Sequence, residues 1–255
     1  MNNTPMSPPT HRRAVSADSY FRQTRRPLNN LVLIMPLLAA FHIGSLWIEP
    51  SLLAPELIGT VLQFFGATAP ILPPLLIAAV LLAQHAVGRY AWKLHPKAIA
   101  GIIAESILWT LPLIALWQLA GRVIAEPTAS ALATQVPAAS AGGPIFSDIV
   151  LAIGAGVYEE FLFRLVLISG ALAVFVDIFE LKPQPVALVA LLASAAVFSA
   201  CHYSLSDLAH PAGLPWGKVL FLAMAGLLWG GLYVFRGFGI AVGAHILWDL
   251  YAACS

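Results

Sequence analysis

The sequence predicts an all-α, polytopic transmembrane helix bundle with about seven spans and one interfacial helix. Hydrophobic residues make up 60% of the 255 residues and charged residues only 10%, whereas a soluble domain carries about 25% charged residues. The apolar residues are also gathered into long runs, and about 20 such residues suffice to cross the hydrocarbon core. These observations together indicate an integral membrane protein.

A polar, basic stretch comes first in the chain. Residues 1–29 are rich in Arg, Pro and Ser and precede the first apolar run, so a cleaved signal peptide is not expected. We expect this stretch to be a flexible cytoplasmic tail, and residues 30–255 to form a single transmembrane domain. The candidate spans in that domain are residues 30–48, 70–89, 99–120, 146–175, 185–205, 216–235 and 238–253.

Two segments outside these spans have a different character. Residues 51–66 are apolar on part of a helical circumference and carry Glu56. They are predicted to form an interfacial helix, with an eighth crossing as the open alternative. Residues 122–145 are rich in small residues and proline and are predicted to form a loop. The chain contains no internal repeat, so an inverted-repeat transporter gains no support.

The placement of basic residues predicts the orientation, because cytoplasmic loops carry an excess of Lys and Arg. With a cytoplasmic N-terminus, the opposite side would hold only Arg122 and Lys218. The cytoplasmic side would hold Arg12, Arg13, Arg22, Arg25, Arg26, Arg89, Lys93, Lys97, Lys182 and Arg236. We therefore expect a protein of a bacterial cell membrane with its N-terminus inside and its C-terminus outside. Nothing in the charge pattern indicates a nucleic-acid partner.

The fourth span carries two adjacent carboxylates, Glu159 and Glu160, in a strongly apolar context. An ionised side chain at the bilayer centre costs at least ~2.5 kcal/mol, so such residues indicate a functional site. Residues four apart share a helix face, which allows Glu160 to pair with Arg164. Glu159 points about 100° away and has no cation on its own helix face. We therefore expect Glu160 to compensate Arg164 and Glu159 to face another helix or a water-filled cavity.

Two later spans supply histidines. His202 follows the fifth span, with Phe198 four residues earlier on the same face as a packing wall. His245 and Asp249 lie four apart in the seventh span and face one way together. Each feature alone is compatible with ordinary helix packing, but their occurrence in three late helices indicates one shared site.

Such a cluster can hydrolyse a peptide bond. Hydrolysis needs a base for water, a group that protonates the leaving amine, and donors for the developing oxyanion. Glu159 can take and then return one proton, and His202 and His245 can act as donors. Since no serine or cysteine has a suitable nucleophile context, direct attack by water is the preferred interpretation.

Three motifs resemble those of a known family. E-E-x-x-x-R at 159–164, F-x-x-x-H at 198–202 and H-x-x-x-D at 245–249 match, in order, the motifs of the CPBP family. That family comprises the CAAX prenyl endopeptidase and bacteriocin-processing proteins, also called Abi proteins. The resemblance covers residues 146–253, the expected catalytic core.

The resemblance implies a metal-independent glutamic intramembrane protease without a cofactor, acting on a membrane-embedded or membrane-anchored peptide. Glu159 would activate water with help from His202, and Glu160 and Arg164 would organise the site. His245 and residue 249 would face the oxyanion. The family usually has Asn at the last position, where this chain has Asp249. An ionised aspartate cannot donate a hydrogen bond, so Asp249 is either protonated or orients His245 and stabilises its cationic form.

Three alternatives remain open at this point. His202, His245 and a carboxylate could bind a catalytic zinc ion, although the chain has no H-E-x-x-H and Arg164 would oppose a dication. Intramembrane Glu, Arg and His also occur in proton-coupled transporters. The third alternative is a non-enzymatic immunity or scaffold protein. Glu105 in the third span has no assigned role.

Overall fold

The computed structural model describes residues 20–48, 52–64, 66, 71–123 and 145–254. Within these residues the chain is helical and contains no strand. The longer helices are α1 (Pro27–Gly44), α2 (Leu53–Phe64), α3 (Leu72–Val87), α4 (Pro96–Val123), α5 (Ile145–Ile178), α6 (Pro183–Ala200), α8 (Trp216–Arg236) and α9 (Phe238–Cys254), and the short α7 is Leu205–Ala209. The all-α prediction is therefore confirmed.

Among the residues that the structure describes, five helices are long and apolar enough to cross a membrane: α1, α4, α5, α6 and α8. The two other predicted spans do form helices, α3 with 16 residues and α9 with 17. Both are shorter than the ~20 residues of an average span. The structure thus gives five spans by length, and a total of seven stays a prediction. Helix α2 has 12 residues, too few to cross the hydrocarbon core.

Helix α9 lies at the centre of the bundle and packs against α1, α4, α5 and α8. Its residues from Phe238 to Val242 are all buried, as are Ala244 and His245. A helix that is hydrophobic around its whole circumference belongs in an interior. Small residues permit this packing: Ser106 and Thr110 of α4 donate weakly to the α9 carbonyls of Ile240 and Ala244, at 3.4 and 3.3 Å.

The bundle begins earlier than the sequence indicates. Helix α1 starts at Pro27, with proline in the first turn where its missing N–H costs nothing. Asn29 and Asn30 are buried because tertiary hydrogen bonds satisfy them; Asn30 Oδ1, for example, accepts from the Gly239 N–H at 3.1 Å. Hydropathy does not reveal such bonds, which explains why the helix begins three residues before the predicted span at residues 30–48. Residues 1–19 of the predicted tail lie outside the described residues.

Residues 20–26 lie against the turn between α8 and α9. Arg25 donates from Nε to the Phe235 carbonyl at 2.9 Å. Gly237 forms the turn with φ +110°, and a Cβ there would stand 2.8 Å from the Thr24 carbonyl oxygen. Only glycine therefore suits this close approach.

The same contact region gives Glu105 a partner. Arg236 donates from Nε to Glu105 Oε2 at 2.8 Å, and the Tyr20 hydroxyl donates to Glu105 Oε1 at 2.6 Å. Glu105 thus joins α4 to the end of α8 and to the N-terminal segment. Most of the predicted loop at residues 122–145 lies outside the described residues.

Candidate active site

Glu160 and Arg164 form a fully buried ion pair on α5. Glu160 Oε1 lies 2.9 Å from Arg164 Nη1, and both side chains have 0% exposure. Arg164 Nη2 also donates to the Gly226 carbonyl of α8 at 3.2 Å. The helix changes from α to π geometry directly after Glu160, over Phe161–Ile168. Such π-helical turns are rare and occur often at functional sites.

His245 of α9 reaches the same carboxylate. Its Nδ1 lies 2.8 Å from Glu160 Oε1, and since a carboxylate only accepts, Nδ1–H is the donor. The other ring nitrogen, Nε2, lies 3.9 Å from Glu159 Oε2 and 3.5 Å from Asp249 Oδ2. Arg164 and His245 therefore share the Oε1 atom of Glu160, while Glu159 and Asp249 stand beside His245 Nε2 without a close hydrogen bond to it.

His202 lies just beyond the end of α6 and contacts Phe198. Its Nδ1 lies 2.8 Å from the Phe198 carbonyl oxygen, so Nδ1–H donates and Nε2 remains available to another group. The Phe198 ring centroid lies 4.7 Å from that of His202 and 6.0 Å from that of His245. Phe198 thus contacts both imidazoles.

The structure adds a residue that the sequence did not indicate, Trp229 of α8. Its ring stacks on the His245 imidazole, with 3.8 Å between centroids and 11° between planes. It also lies edge to face with Phe198 at 5.7 Å. Tryptophan is normally enriched at the membrane interface. Its position in the middle of a span is therefore the feature of the sequence that could have indicated Trp229 as a site residue. The site consequently draws on four helices, α5, α6, α8 and α9, where the sequence indicated three.

Glycines set the distances between these helices. A Cβ on Gly156 of α5 would stand 3.0 Å from the Ile246 backbone nitrogen of α9, and one on Gly226 of α8 would stand 3.0 Å from the Ala195 Cα of α6. Small residues at helix interfaces let backbones approach closely in membranes. These contacts bring Glu159, His245 and Arg164 into one cluster.

A polar loop follows His202. Tyr203, Asp207 and His210 line a cavity of about 360 Å³ beside it. Burial raises the pKa of Tyr203 to about 12. Hydrogen bonds from the Ser204 side chain and backbone hold the pKa of Asp207 below its usual value. The cavity therefore offers a neutral phenol and a carboxylate next to the candidate site.

The described part of the chain holds no group of three or more His, Cys, Asp or Glu side chains placed to bind a metal ion. The cluster of carboxylates and imidazoles around Glu160 also contains the Arg164 guanidinium, whose Nη1 lies 2.9 Å from Glu160 Oε1. The cationic partner inside the cluster is thus an arginine of the chain itself.

The helices and the buried cluster define a helical integral membrane protein with paired carboxylates and imidazoles in its interior. Residues 141–251 match the family model of the type II CAAX prenyl endopeptidase, Rce1-like. This stretch is 111 of the 255 residues and is similar to that family of peptidases, which confirms the resemblance to the CPBP proteases. The matched residues include all three motifs. The chain matches no curated protein and no solved structure.

Proposed function

We propose that the chain is an intramembrane endopeptidase in which Glu159 activates the attacking water. The observation that supports this proposal is that the two adjacent glutamates have different partners and different exposure. Glu160 is held by Arg164 and His245, whereas Glu159 faces His245 Nε2 at 3.9 Å and retains 16% exposure of its side chain. Glu159 is thus the carboxylate that water and substrate can reach.

The residues of the cluster can make each proton transfer that peptide hydrolysis requires. Glu159 accepts a proton from water as the oxygen attacks the scissile carbonyl carbon. His202 Nε2, whose ring is held by the bond from Nδ1 to Phe198, accepts a hydrogen bond from the same water. His245 acts as the imidazolium cation: its Nδ1–H donates to Glu160, and its Nε2–H donates to the oxyanion that forms. Glu159 then passes its proton to the leaving nitrogen as the C–N bond breaks.

The substrate is a peptide tethered to or embedded in the membrane. The family description names CAAX prenyl endopeptidases, and a lipid-modified C-terminal segment is the substrate class that it suggests. A site buried among four helices of an integral membrane protein suits such a peptide, because the lipid anchor keeps it in the bilayer plane.

The experiment that tests the proposal compares membrane peptides from cells that express the wild type, Glu159→Gln or Glu56→Gln. Glu56 is an exposed carboxylate on α2 and serves as the matched control. We expect uncut precursors to accumulate with Glu159→Gln alone, since the amide cannot accept a proton from water. Equal elution volumes of the purified variants in detergent would show that the fold is retained.

Two outcomes would contradict the mechanism. Full processing by Glu159→Gln would remove Glu159 as the base. Loss of processing by the purified wild type with phenanthroline, and its return with zinc, would establish the metal-dependent alternative. We expect processing to continue with the chelator, because Glu160 Oε1 already lies 2.9 Å from Arg164 Nη1 and this guanidinium would repel a dication.

A further inference from the structure

The indole nitrogen of Trp229 is a buried donor without an acceptor. Trp229 has 2% exposure, and its Nε1 finds no hydrogen-bond partner among the described residues. Tryptophan has a donor and no acceptor in its side chain, and a buried donor left unpaired costs free energy. Buried tryptophans usually place this N–H on a partner. An acceptor supplied from outside the chain would satisfy it.

The position of this donor makes a bound substrate the natural source of that acceptor. Trp229 stacks on His245 with 3.8 Å between centroids, and the Nε2 of that histidine faces Glu159. The Arg164 guanidinium carbon lies 5.7 Å from the Trp229 ring centroid. The indole thus forms part of the wall of the cluster in which we propose the peptide bond is cut.

The donors for an oxyanion are otherwise few. Asp249 Oδ2 lies 3.5 Å from His245 Nε2, but an ionised aspartate cannot donate. His245 Nδ1–H is used by Glu160, and Arg164 Nη2 by the Gly226 carbonyl. Arg164 Nε also lacks a partner, but the guanidinium is already paired with Glu160 at 2.9 Å and Phe198 covers its carbon at 4.8 Å. Of these side chains, His245 Nε2 and Trp229 Nε1 remain.

We propose that Trp229 Nε1–H is a catalytic hydrogen-bond donor to the oxyanion of the tetrahedral intermediate, alongside His245. It would supply a donor that an ionised Asp249 cannot supply. The proton stays on the indole nitrogen throughout, so the step forms a hydrogen bond and breaks no covalent bond. The inference rests on the proposed peptidase function and extends it to a residue outside the three motifs.

The test uses Trp229→Phe, Asp249→Asn and the double variant in the full-length protein in detergent. The substrate is the precursor peptide that accumulates with Glu159→Gln. Removal of one oxyanion donor lowers kcat by about 10²–10³-fold in a studied protease. We expect Trp229→Phe to lower kcat by about 100-fold with little change in KM. The double variant should have a kcat at least about tenfold higher than that of Trp229→Phe, because the asparagine amide supplies a donor.

A second replacement separates the N–H from the shape of the ring. Trp229→3-benzothienylalanine puts sulfur in place of the N–H and keeps the bicyclic ring that stacks on His245. We expect it to lose kcat as Trp229→Phe does, even if Trp229→Phe folds poorly. Trp117→Phe, in α4 against Phe221 and Trp248, is the control and should keep wild-type kcat.

The outcomes distinguish this inference from the proposed function. Cleavage by the wild type, none by Glu159→Gln, and full kcat for the benzothienyl variant would overturn the role of Trp229 alone. An equal loss in the single Trp229→Phe and the double variant would also overturn it, since a packing defect is not rescued by an amide at 249. Absence of cleavage by the wild type would overturn the proposed function itself.

Discussion

Glu160 accepts two charged or polar partners at one oxygen, Oε1, which lies 2.9 Å from Arg164 Nη1 and 2.8 Å from His245 Nδ1. The pair with Arg164 has no exposure, so neither charge is compensated by water. Buried ion pairs stabilise little in net terms, but loss of one partner leaves an uncompensated charge. We therefore interpret this pair as the structural support on which the orientation of His245 depends.

The first residue-scale prediction concerns this pair. Arg164→Met should lower the free energy of unfolding by about 3–5 kcal/mol, because the Glu160 charge is left buried alone. The double variant Glu160→Gln/Arg164→Met should be more stable than Arg164→Met, since no charge then remains. Denaturant titration of the purified proteins in detergent micelles measures both effects.

Glu105→Gln provides the matched control for that measurement. Arg236 and Glu105 form an ion pair whose side chains are 13% and 18% exposed, respectively. In Glu105→Gln, water can therefore solvate part of the unpaired Arg236 charge, and the destabilisation should be smaller than in Arg164→Met. Equal stability of Arg164→Met and the wild type would contradict the assigned role. A double variant less stable than Arg164→Met would do so as well.

At the scale of helices, the contact between α6 and α8 sets the position of the backbone that holds Arg164. Gly226 lies on this contact, and its carbonyl accepts from Arg164 Nη2 at 3.2 Å. A Cβ at Gly226 would stand 3.0 Å from the Ala195 Cα and 3.3 Å from Phe198 Cδ1. A backbone atom cannot turn aside as a flexible side chain can, so any added methyl separates the helices.

The helix-scale prediction uses two glycines of α8. Gly226→Ala should destabilise the protein by about 1–3 kcal/mol, the usual cost of overpacking, and should reduce cleavage because Phe198 and Arg164 shift. Gly231→Ala is the control, since a Cβ there meets nothing within 4 Å. It should leave stability unchanged or raise it by about 0.5–1 kcal/mol, because alanine favours helix over glycine. Thermal unfolding in micelles and precursor processing measure the two effects. A Gly226→Ala protein as stable and active as Gly231→Ala would contradict the prediction, because the contact between α6 and α8 would then accommodate an added methyl group.

The sequence predicted the helices well and their limits less well, for reasons that individual residues make clear. Apolar runs mark where a helix can cross, but Asn29 and Asn30 are buried by hydrogen bonds formed only in the folded bundle. Helix α9 is apolar over most of its length and yet short, and it is surrounded by other helices. Hydropathy measures neither tertiary hydrogen bonds nor a helix's position in the bundle.

The candidate site shows the same limit. The i, i+4 spacing was sufficient to pair Glu160 with Arg164, and that pair exists. Trp229 and the Gly226 carbonyl came from a helix without a motif, and only three-dimensional packing brings them to His245 and Arg164. The partners of Glu105, which are Arg236 and Tyr20, are likewise distant in sequence. Spacing along one helix predicts neighbours on that helix, and contacts between helices need the fold.

In the whole molecule, basic segments that are distant in sequence meet at one end of the bundle. Arg26 Nη1 lies 3.3 Å from His95 Nε2 in the α3–α4 connection, and Arg25 donates to Phe235 at the α8–α9 turn. The N-terminal segment thus contacts both the α3–α4 connection and the α8–α9 turn at this end of the bundle. Cytoplasmic loops carry the excess of Lys and Arg, so we propose that this end faces the cytoplasm.

The last prediction tests this orientation with the two natural cysteines. Cys254 is exposed at the end of α9 and Cys201 is half-buried after α6. In a Cys201→Ala variant, a membrane-impermeant maleimide added to intact cells should label Cys254, because α9 runs away from the basic end. In Cys201→Ala/Cys254→Ala/Glu180→Cys, the new thiol lies in the exposed connection between α5 and α6 and should react only after permeabilisation. The reverse pattern would place the N-terminus outside, and labelling of both thiols in intact cells would show that α9 and the α5–α6 connection share one side. Either result would contradict the orientation, whereas the expected pattern fixes the side of the membrane toward which His202 and its polar loop open.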